Sequence, residues 1–343
     1  MATVDLRSDT VTMPSAEMRR AMADAELGDD VWGEDPTINK LQEVAAERLG
    51  KEAALFVSSG TMGNLLGILV SARSGQEIIA DADSHTFLSE TGGAAALGGI
   101  QIMPVRTEAG IMTPEQVAEA VRVEDVHHPR TAAVAFEDTH NYHGGIAWPL
   151  EALRAAAGEA HRNGLSVHLD GARLFNAAVA TGTEVREIAA CADTVTFCLS
   201  KGLAAPVGSV LAGPEEKIAE ARRWRKMLGG GMREIGMLGA AGLFALENMV
   251  DRLAEDHANA RTLAEGLAEM DGIALDLSRV QTNLVVFKLT RMAPEAFLAE
   301  CEKRGVKGAQ ISRRQLRFVT HYGITAGDVQ QALKGVAEVL GAA

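Results

Sequence analysis

The sequence predicts an α/β protein with a mainly parallel central sheet, helices on both faces, and a small α+β C-terminal domain. Short apolar runs alternate with helical stretches along most of the chain, until one long helical register begins near residue 235. With 343 residues, 47% of them hydrophobic, the chain can bury a large core and divide into two domains. We place an N-terminal arm and the large domain at residues 1–248, and the small domain at residues 249–343.

The strands of the large domain are predicted from runs that are apolar and short. They lie at residues 53–57, 78–80, 100–105, 132–136, 165–169, 194–198 and 209–212. Apolar residues at helical spacing lie between them, at 62–72, 114–121, 150–163 and 215–227. Strands that alternate with helices in this way predict parallel pairing, with the strands buried on both faces.

The small domain is predicted from the remainder of the chain. The helical register of residues 235–267, which allows for one break, leads out of the large domain. Strands are predicted at 273–277, 283–289 and 315–320, and helices at 294–304 and 326–340. This mixture is typical of a small α+β unit.

Composition indicates a soluble, cytoplasmic protein. A formal net charge of -13 argues against nucleic acid or an anionic membrane as a partner. The first residues lack the pattern of a secretory signal, and no apolar stretch is long enough to cross a bilayer. Cys191, Cys198 and Cys301 are odd in number and widely spaced, so we expect reduced thiols in the core.

Lys201 and Asp170 form the most informative pair of residues. Each follows an apolar run and precedes small, turn-forming residues, which is how a buried strand delivers a polar side chain to the edge of a sheet. A lysine can form a Schiff base, and an aspartate can keep a pyridinium nitrogen protonated. A lone lysine in a loop or an aspartate before glycine is usually structural, but the two together indicate pyridoxal phosphate.

A phosphate site is predicted at Ser59, Gly60 and Thr61, between a strand and a helix. Glycine lets the backbone approach a ligand, and the N–H groups at the start of the helix favour an anion. By itself this turn is also an ordinary helix cap. His85, after the next strand, is a candidate to stack on a cofactor ring and to act as an acid or base.

A polar segment with two histidines follows the strand at 132–136. Glu137, His140 and His143 are three residues apart and could bind a metal, but outside a helix this spacing does not place them on one face. We therefore expect a loop that lines a pocket, and no metal.

Two arginines are candidates to bind a substrate. Arg173 lies near Asp170 in sequence, and Arg317 lies in a small-domain strand. Two guanidinium groups suit the carboxylate of an amino acid.

Six motifs in this chain together resemble the low-specificity L-threonine aldolases. They are DLRSDTVT at 5–12, GDDVWGEDP at 28–36, SGTM at 59–62, HLDGAR at 168–173, LSKG at 199–202 and RWRKMLGGGMR at 223–233. The resemblance runs over nearly the whole chain. It implies the fold type I arrangement of pyridoxal-phosphate enzymes and a homo-oligomer, either a dimer or a dimer of dimers, with sites at the subunit interface.

The resemblance also implies roles for individual residues. Lys201 would be the Schiff-base lysine, His85 and His127 would be the catalytic histidines, and Ser8, Arg173 and Arg317 would bind the substrate carboxylate. The residues expected around the cofactor are Ser59, Gly60, Thr61, His85, Asp170, Arg173, Ser200, Lys201 and Arg233. Which histidine, or which water that they orient, is the base stays open.

The implied reaction is the cleavage of L-threonine or L-allo-threonine to glycine and an aldehyde. Two alternatives remain: a β-eliminating lyase on the same scaffold, and a non-catalytic protein that retains the fold. Two positions depart from the family pattern. Trp32 stands where tyrosine is more usual, which affects the expected substrate preference, and Ala204 stands where glycine is frequent.

Overall fold

The computed structural model describes residues 3–341. Within them the strands are β1 (Val4–Asp5), β2 (Ala53–Val57), β3 (Glu77–Asp81), β4 (Gln101–Val105), β5 (Thr131–Glu137), β6 (Ser166–Asp170), β7 (Thr194–Cys198), β8 (Ser209–Gly213), β9 (Ile273–Ala274), β10 (Leu284–Leu289), β11 (Val306–Lys307), β12 (Ala309–Gln310) and β13 (Gln315–Val319). The helices are α1 (Ala16–Ala23), α2 (Pro36–Leu49), α3 (Gly60–Leu69), α4 (His85–Leu88), α5 (Gly93–Gly98), α6 (Pro114–Ala120), α7 (Leu150–Arg162), α8 (Leu174–Thr181), α9 (Val185–Ala189), α10 (Glu215–Met227), α11 (Gly236–Asn248), α12 (Leu253–Ala268), α13 (Pro294–Lys303) and α14 (Ala326–Gly341).

The central sheet has the strand order β2-β8-β7-β6-β5-β3-β4. Strands β4, β3, β5, β6 and β7 pair in parallel, whereas β8 runs antiparallel to both of its neighbours, β7 and β2. This confirms the predicted α/β class with a mainly parallel sheet. The predicted ends of the seven strands in this sheet agree with the structure to within one residue, because each run is apolar on both faces and is bounded by polar or turn-forming residues.

Helices cover both faces of this sheet. Alternate residues of a strand point to opposite faces, and in β2 Phe56 belongs to one hydrophobic cluster while Leu55 and Val57 belong to another. The first cluster includes side chains of α2, α7 and α11, and the second includes side chains of α3 and α10. The inner strands are therefore buried between two helical layers, as the sequence predicts, whereas the edge strand β4 is partly exposed.

A third cluster forms the core of the C-terminal part. The sheet β12-β13-β10-β9 is antiparallel, and α12, α13 and α14 pack against it. Val4 and Leu6 of the N-terminal segment are buried in this same core, and β1 pairs in parallel with β11. The division of the chain at residue 248 stays a prediction.

One strand predicted for this region is shorter in the structure. The strand expected at 273–277 ends at Ala274, and a 3-10 turn follows at Leu277–Arg279. The carboxylate of Asp276 accepts a hydrogen bond from the backbone N–H of Ser278, which favours the turn over an extended chain. The break allowed for in the register of 235–267 lies between α11 and α12.

The parallel strands end at one edge of the central sheet and bring polar side chains there. Asp81, Glu137 and Asp170 are the last residues of β3, β5 and β6. The C-terminal part reaches the same edge, where Asn283 donates a hydrogen bond to Asp9. In open α/β sheets the crevice at this edge is the usual place for a ligand. Among the described residues, no helix is long and apolar enough to cross a membrane.

Candidate active site

Lys201 and Asp170 lie at the ends of neighbouring strands, as predicted. Asp170 is the last residue of β6, and Lys201 follows the end of β7 by three residues. Lys201 lines the same cleft as Cys198 and Arg173. Within residues 3–341 its ammonium group makes no hydrogen bond or ion pair, whereas the Asp170 side chain is buried. The amine is thus free to react beside a fixed carboxylate.

A chain of hydrogen bonds fixes the Asp170 carboxylate. Its Oδ1 accepts from the backbone N–H of Ala172 at 3.0 Å, and its Oδ2 accepts from Nδ2 of Asn64 at 2.8 Å. Behind Asn64, its Oδ1 lies 3.2 Å from Nε2 of His168, and Nδ1 of that ring lies 2.9 Å from Oγ1 of Thr194. Burial lowers the pKa of His168 to about 4, so the ring is neutral at neutral pH.

The turn at Ser59–Thr61 forms the start of α3. The Ser59 hydroxyl caps the helix by accepting a hydrogen bond from the N–H of Met62 at 3.1 Å. The N–H groups of Gly60 and Thr61 occupy the first two positions of α3, where no partner exists within the helix. They are left to bind an anion at the positive end of the helix dipole.

His85 is held near Asp170 by a second carboxylate, Glu90. Nδ1 of His85 lies 2.9 Å from Oε1 of Glu90, which also accepts from Nδ2 of Asn64 at 2.8 Å. The ligating atoms of His85, Glu90 and Asp170 all lie within 4.8 Å of one another. The hydrogen bond to Glu90 raises the pKa of His85, and burial raises the pKa of Glu90. This pair can therefore hold a proton beside the Asp170 carboxylate.

Arg173 is buried and paired with Asp9. Its Nε and Nη2 donate to the two carboxylate oxygens of Asp9 at 2.7 and 2.8 Å, which is a bidentate geometry. Burial alone would raise the pKa of Asp9, but the charge and hydrogen bonds of Arg173, with the charge of Lys201, hold it below its usual value. Ser8 immediately precedes Asp9, and its Oγ accepts hydrogen bonds from Thr10.

Arg317 reaches the same place from β13. Its Nη1 donates to Oδ1 of Asn141 at 2.7 Å, and Nη1 of Arg173 donates to that same oxygen at 3.3 Å. Burial, with the nearby charge of Arg173, lowers the pKa of Arg317 to about 10. Two guanidinium groups thus converge on a neutral amide oxygen, and within residues 3–341 the only carboxylate that forms an ion pair with either is that of Asp9. The arrangement favours binding of a further carboxylate.

These residues match the chemical requirements of pyridoxal phosphate. The cofactor needs an amine for its aldehyde, a carboxylate for its ring nitrogen and hydrogen-bond donors for its phosphate. Lys201, Asp170 and the N–H groups of Gly60 and Thr61 provide these at one edge of the sheet. The donor set therefore fits the cofactor, which would supply an electron sink for reactions at the α-carbon of an amino acid.

Three predicted residues lie outside this cluster in the single chain. His127 is on the loop before β5, at the opposite end of that strand from Glu137; its side chain is 84% exposed and pairs with Asp125. Arg233 pairs with Asp29 at 2.8 Å and is 55% exposed. Ser200 precedes Lys201 and is half-buried. The roles of these three residues stay predictions.

The segment of Glu137, His140 and His143 is divided in the structure. Glu137 accepts hydrogen bonds from the backbone N–H groups of His85 and Asn141, so it supports the pocket. The two histidines turn away from it towards Asp81. In the structure the two histidines are therefore associated with Asp81 and not with Glu137.

The two departures from the family pattern have different settings. Trp32 is 76% exposed in a 3-10 turn and lies on the surface of this chain. Ala204 is buried and has a φ of 62°. Because a left-handed backbone is unfavourable for residues with a Cβ atom, this value explains why glycine suits the position.

Sequence reasoning assigned no role to four residues that complete the pocket: Asp9, Asn64, Glu90 and Asn141. Asn64 is a polar residue in the otherwise apolar α3, and this was the one local signal available. The partners of the others are fixed only by the fold, since Asp9 and Arg173 are 164 residues apart.

The fold and the site together define a class, the fold type I pyridoxal-phosphate enzymes. A family model described as beta-eliminating lyase matches residues 5–290. A low-specificity L-threonine aldolase of Escherichia coli K12 is 45% identical over 324 residues, covering 94% of this chain and 95% of that protein. Low-specificity L-threonine aldolase 1 of Arabidopsis thaliana is 42% identical over 340 residues, covering 97% and 95%. The chain belongs to the low-specificity L-threonine aldolase family.

A solved structure supports the fold independently. The threonine aldolase of Leishmania major superposes with a TM-score of 0.84 at 20% identity, covering 98% of this chain and 99% of that one. At this identity the likeness concerns the fold alone.

Proposed function

We propose that the protein is a pyridoxal-phosphate-dependent aldehyde-lyase that cleaves L-threonine or L-allo-threonine to glycine and acetaldehyde. The observation that carries the proposal is the convergence of Arg173 and Arg317 on Asn141, next to the free amine of Lys201. This convergence supports a site for an α-carboxylate beside the site for the cofactor. The names of the relatives supply the bond that is cleaved.

The residues of the chain divide the work as follows. Arg173 and Arg317 hold the substrate carboxylate and so orient the bond to be broken relative to the cofactor ring. Lys201 would hold the cofactor, which would supply the electron sink, and Asp170 would keep its ring nitrogen charged. His85, supported by Glu90, accepts a proton from the β-hydroxyl group directly or through water. His127 is the alternative base if a neighbouring subunit delivers it.

The reaction is tested by a product assay. The purified enzyme is incubated with L-threonine and, in parallel, with L-allo-threonine, and acetaldehyde and glycine are measured against ammonia and keto acid. We expect aldehyde and glycine in equal amounts from at least one of the two. Absence of aldehyde from both, and from an aryl-serine, would contradict the proposal, and absence of every product would favour the non-catalytic alternative.

The attachment of the cofactor is tested with two lysine variants. Borohydride reduction should fix the cofactor to the wild-type chain at Lys201, and Lys201→Ala should abolish this. Lys217→Met is the matched control, because Lys217 is also partly buried and burial lowers its pKa. Its ammonium group contacts Ser166, away from the pocket. Cofactor fixed on Lys201→Ala would contradict the assignment.

A second candidate is β-elimination, which the description of the matching family model favours. The same cofactor residues support it, since Lys201 and Asp170 are common to both reactions. The product assay separates the two: ammonia and a keto acid without aldehyde would identify an eliminating lyase.

We also propose that the enzyme works in the cytoplasm as a homo-oligomer, a dimer or a homotetramer. Exposed apolar side chains support an interface. Met13 before α1, Trp32 before α2 and Met227 at the end of α10 are 71%, 76% and 73% exposed. An interface would also let the exposed His127 and Arg233 approach the pocket of a neighbour. Light scattering after gel filtration should give a mass of two or four chains; a monomeric mass would contradict the proposal.

A further inference from the structure

A second cluster of ligating side chains lies one strand away from the pocket. It consists of Asp81 at the end of β3, Asp83 just beyond it, and His140 and His143 from the loop after β5. Nε2 of His140 lies 3.2 Å from Oδ1 of Asp81. Nε2 of His143 lies 4.0 Å from that same oxygen and 3.4 Å from Oδ2 of Asp83. His140 therefore faces Asp81, and His143 faces both carboxylates.

The distances fit a tetrahedral ion. Ligands about 2 Å from a zinc ion lie roughly 3.3 Å apart in a tetrahedron. The separations of 3.2, 3.4 and 4.0 Å bracket this value, and the ligating atoms of Asp81, His140 and His143 all lie within 4.8 Å of one another. Two imidazole nitrogens with two carboxylates are a common donor set for divalent transition metals.

The hydrogen bonds of the cluster leave this position open. Nε2 of His143 is buried, yet it makes no hydrogen bond among the described residues although two carboxylates lie close by. Arg279, which is exposed, approaches only its other nitrogen, at 3.5 Å. On the far side, Oδ2 of Asp81 accepts from Oγ1 of Thr107 at 2.6 Å, and its Oδ1, which faces the histidines, also accepts from the backbone N–H of Asp83 at 2.8 Å. Such outer contacts orient the ligands of metal sites.

The cluster is separate from the cofactor pocket. His140 and His143 make no contact with Lys201 or Asp170 in the described part of the chain, whereas His85 and Glu90 complete the pocket. Between the two histidines lies Asn141, whose oxygen receives Arg173 and Arg317. An ion bound to both histidines would brace the loop that presents this oxygen.

We propose that Asp81, His140 and His143, with Asp83 as the fourth ligand, bind one zinc-class divalent ion per chain. The ion has a structural role, since it joins the loop after β5 to the end of β3. It takes no part in cleavage. Asp83 is half-exposed, so the ion enters from its side.

The simpler reading of the cluster is an ion pair without metal, in which a protonated His140 contacts Asp81. The charge of Glu137 and the hydrogen bond to Asp81 raise the pKa of His140 against the larger effect of burial, so this pair is available to the metal-free protein. It does not account for His143, however, whose Nε2 faces the same two carboxylates without a hydrogen bond. The two readings differ in whether His143 matters for ion binding.

The test uses the cofactor-loaded enzyme after dialysis against a chelator. Zinc chloride is titrated by calorimetry, and cobalt chloride by visible absorption, which reports tetrahedral coordination. The variants are His143→Asn and Asp83→Asn, and the control is His161→Asn, which removes an exposed histidine paired with Asp193. Circular dichroism of the metal-free proteins checks that each is folded.

We expect one ion per chain in the wild type and in His161→Asn, and an affinity lower by about tenfold or more in both other variants. If His143→Asn does not fold, Asp83→Asn decides, because its side chain is half-exposed. The proposal is overturned if the wild type binds no stoichiometric ion, or if the folded variants retain wild-type affinity. It is equally overturned if the ion changes the absorption of the bound cofactor, which would place it at His85.

Discussion

At the scale of single residues, charge balance distinguishes the proposed carboxylate site. Arg173 has its own carboxylate in Asp9, but within residues 3–341 the guanidinium of Arg317 donates hydrogen bonds only to the neutral oxygen of Asn141 and to the backbone oxygen of Arg7, at 3.5 Å. Its Nε is buried without a hydrogen-bond partner among the described residues. A buried guanidinium without a counter-ion is unfavourable. Binding of a substrate carboxylate relieves this cost, which makes Arg317 a group that favours the bound state.

Asn141→Asp tests this balance. The new carboxylate would stand where two guanidinium groups already converge and would compete with the substrate. Hydrogen bonds to charged groups contribute about 1.5–3 kcal/mol, so KM should rise roughly tenfold to a hundredfold while the cofactor absorption is unchanged. Asn248→Asp, an exposed change at the end of α11, is the control. An unaltered KM would remove Asn141 from the carboxylate site.

Arg317→Ala tests the same site from the other side. Amino-acid binding should weaken while the cofactor remains attached to Lys201, and Arg317→Lys should restore it only in part because lysine lacks the second donor. Arg314→Ala, on the exposed turn before β13, serves as the control. Substrate titrations that follow the cofactor absorption give the dissociation constants. Equal affinity in Arg317→Ala and wild type would exclude the proposed role.

The backbone at Ala204 gives a prediction about stability. A left-handed conformation costs a residue with a Cβ atom about 1–2 kcal/mol. Glycine avoids this cost but lowers the free energy of unfolding by about 0.5–1 kcal/mol, because it makes the unfolded chain more flexible. Ala204→Gly should therefore raise the free energy of unfolding by about 0.5–1 kcal/mol, as measured by urea denaturation. Ala205→Gly, at the next buried residue, should lower it. A loss of stability in Ala204→Gly would mean that the methyl contacts of Ala204 outweigh the strain.

At the scale of elements, the position of α3 depends on a missing side chain. A Cβ atom on Gly67 would lie 2.3 Å from Cε1 and 2.4 Å from Nδ1 of His168. The ring cannot move aside, because Asn64 and Thr194 contact its two nitrogens. The helix therefore approaches the sheet only because residue 67 is glycine, and this approach positions both Asn64 and the turn at Ser59–Thr61.

Gly67→Ala should displace α3 and so weaken cofactor binding as well as folding. Overpacking of a core costs about 1–3 kcal/mol, which we expect as a loss in the free energy of unfolding. Gly158→Ala is the matched control, since a Cβ atom there meets only Nη1 of Arg162 at 3.7 Å. Because this helical glycine is not crowded, Gly158→Ala should raise the free energy of unfolding by up to about 1 kcal/mol. Similar effects of the two substitutions would contradict this account of α3.

The elements of the large sheet could be predicted from sequence because local signals define them. Each strand is an apolar run of about five residues, and Asp170 and Lys201 follow such runs, so their meeting at one edge was predictable. The direction of β8 was not, because apolar pattern alone does not distinguish a hairpin from a crossover. In the site, Asp9 and Asn141 were missed because their partners, Arg173 and Arg317, are distant in sequence.

At the scale of the whole molecule, polar contacts join the core of the central sheet to the C-terminal core. Asn176 of α8 donates from Nδ2 to Nε2 of His257 on α12 at 3.1 Å, and lies 3.4 Å from Oδ1 of Asn283. Asn283 in turn donates to Asp9, the partner of Arg173. The junction between the two cores thus leads to the carboxylate site, so the protonation state of His257 affects how the two parts fit together.

The half-buried position of His257 predicts how the free energy of unfolding depends on pH. Burial, with the charge of Arg252, lowers its pKa to about 4 from a usual value of 6.5. Between these values the unfolded chain binds a proton that the folded chain does not, so the free energy of unfolding falls as the pH falls from 6.5 to 4. The contribution is roughly 3 kcal/mol at most, at 1.36 kcal/mol per unit of pKa.

His257→Gln isolates this contribution, because the amide oxygen can accept the same hydrogen bond from Asn176 but does not titrate. We expect similar urea midpoints for variant and wild type at pH 7.5, and a smaller loss for the variant between pH 6.5 and 4. His161→Gln, an exposed histidine on α7, should follow the wild type. Parallel curves for His257→Gln and wild type would mean that His257 is charged in the folded protein. The contact with Asn176 would then have to break in acid, and the junction between the two cores would loosen before the protein unfolds.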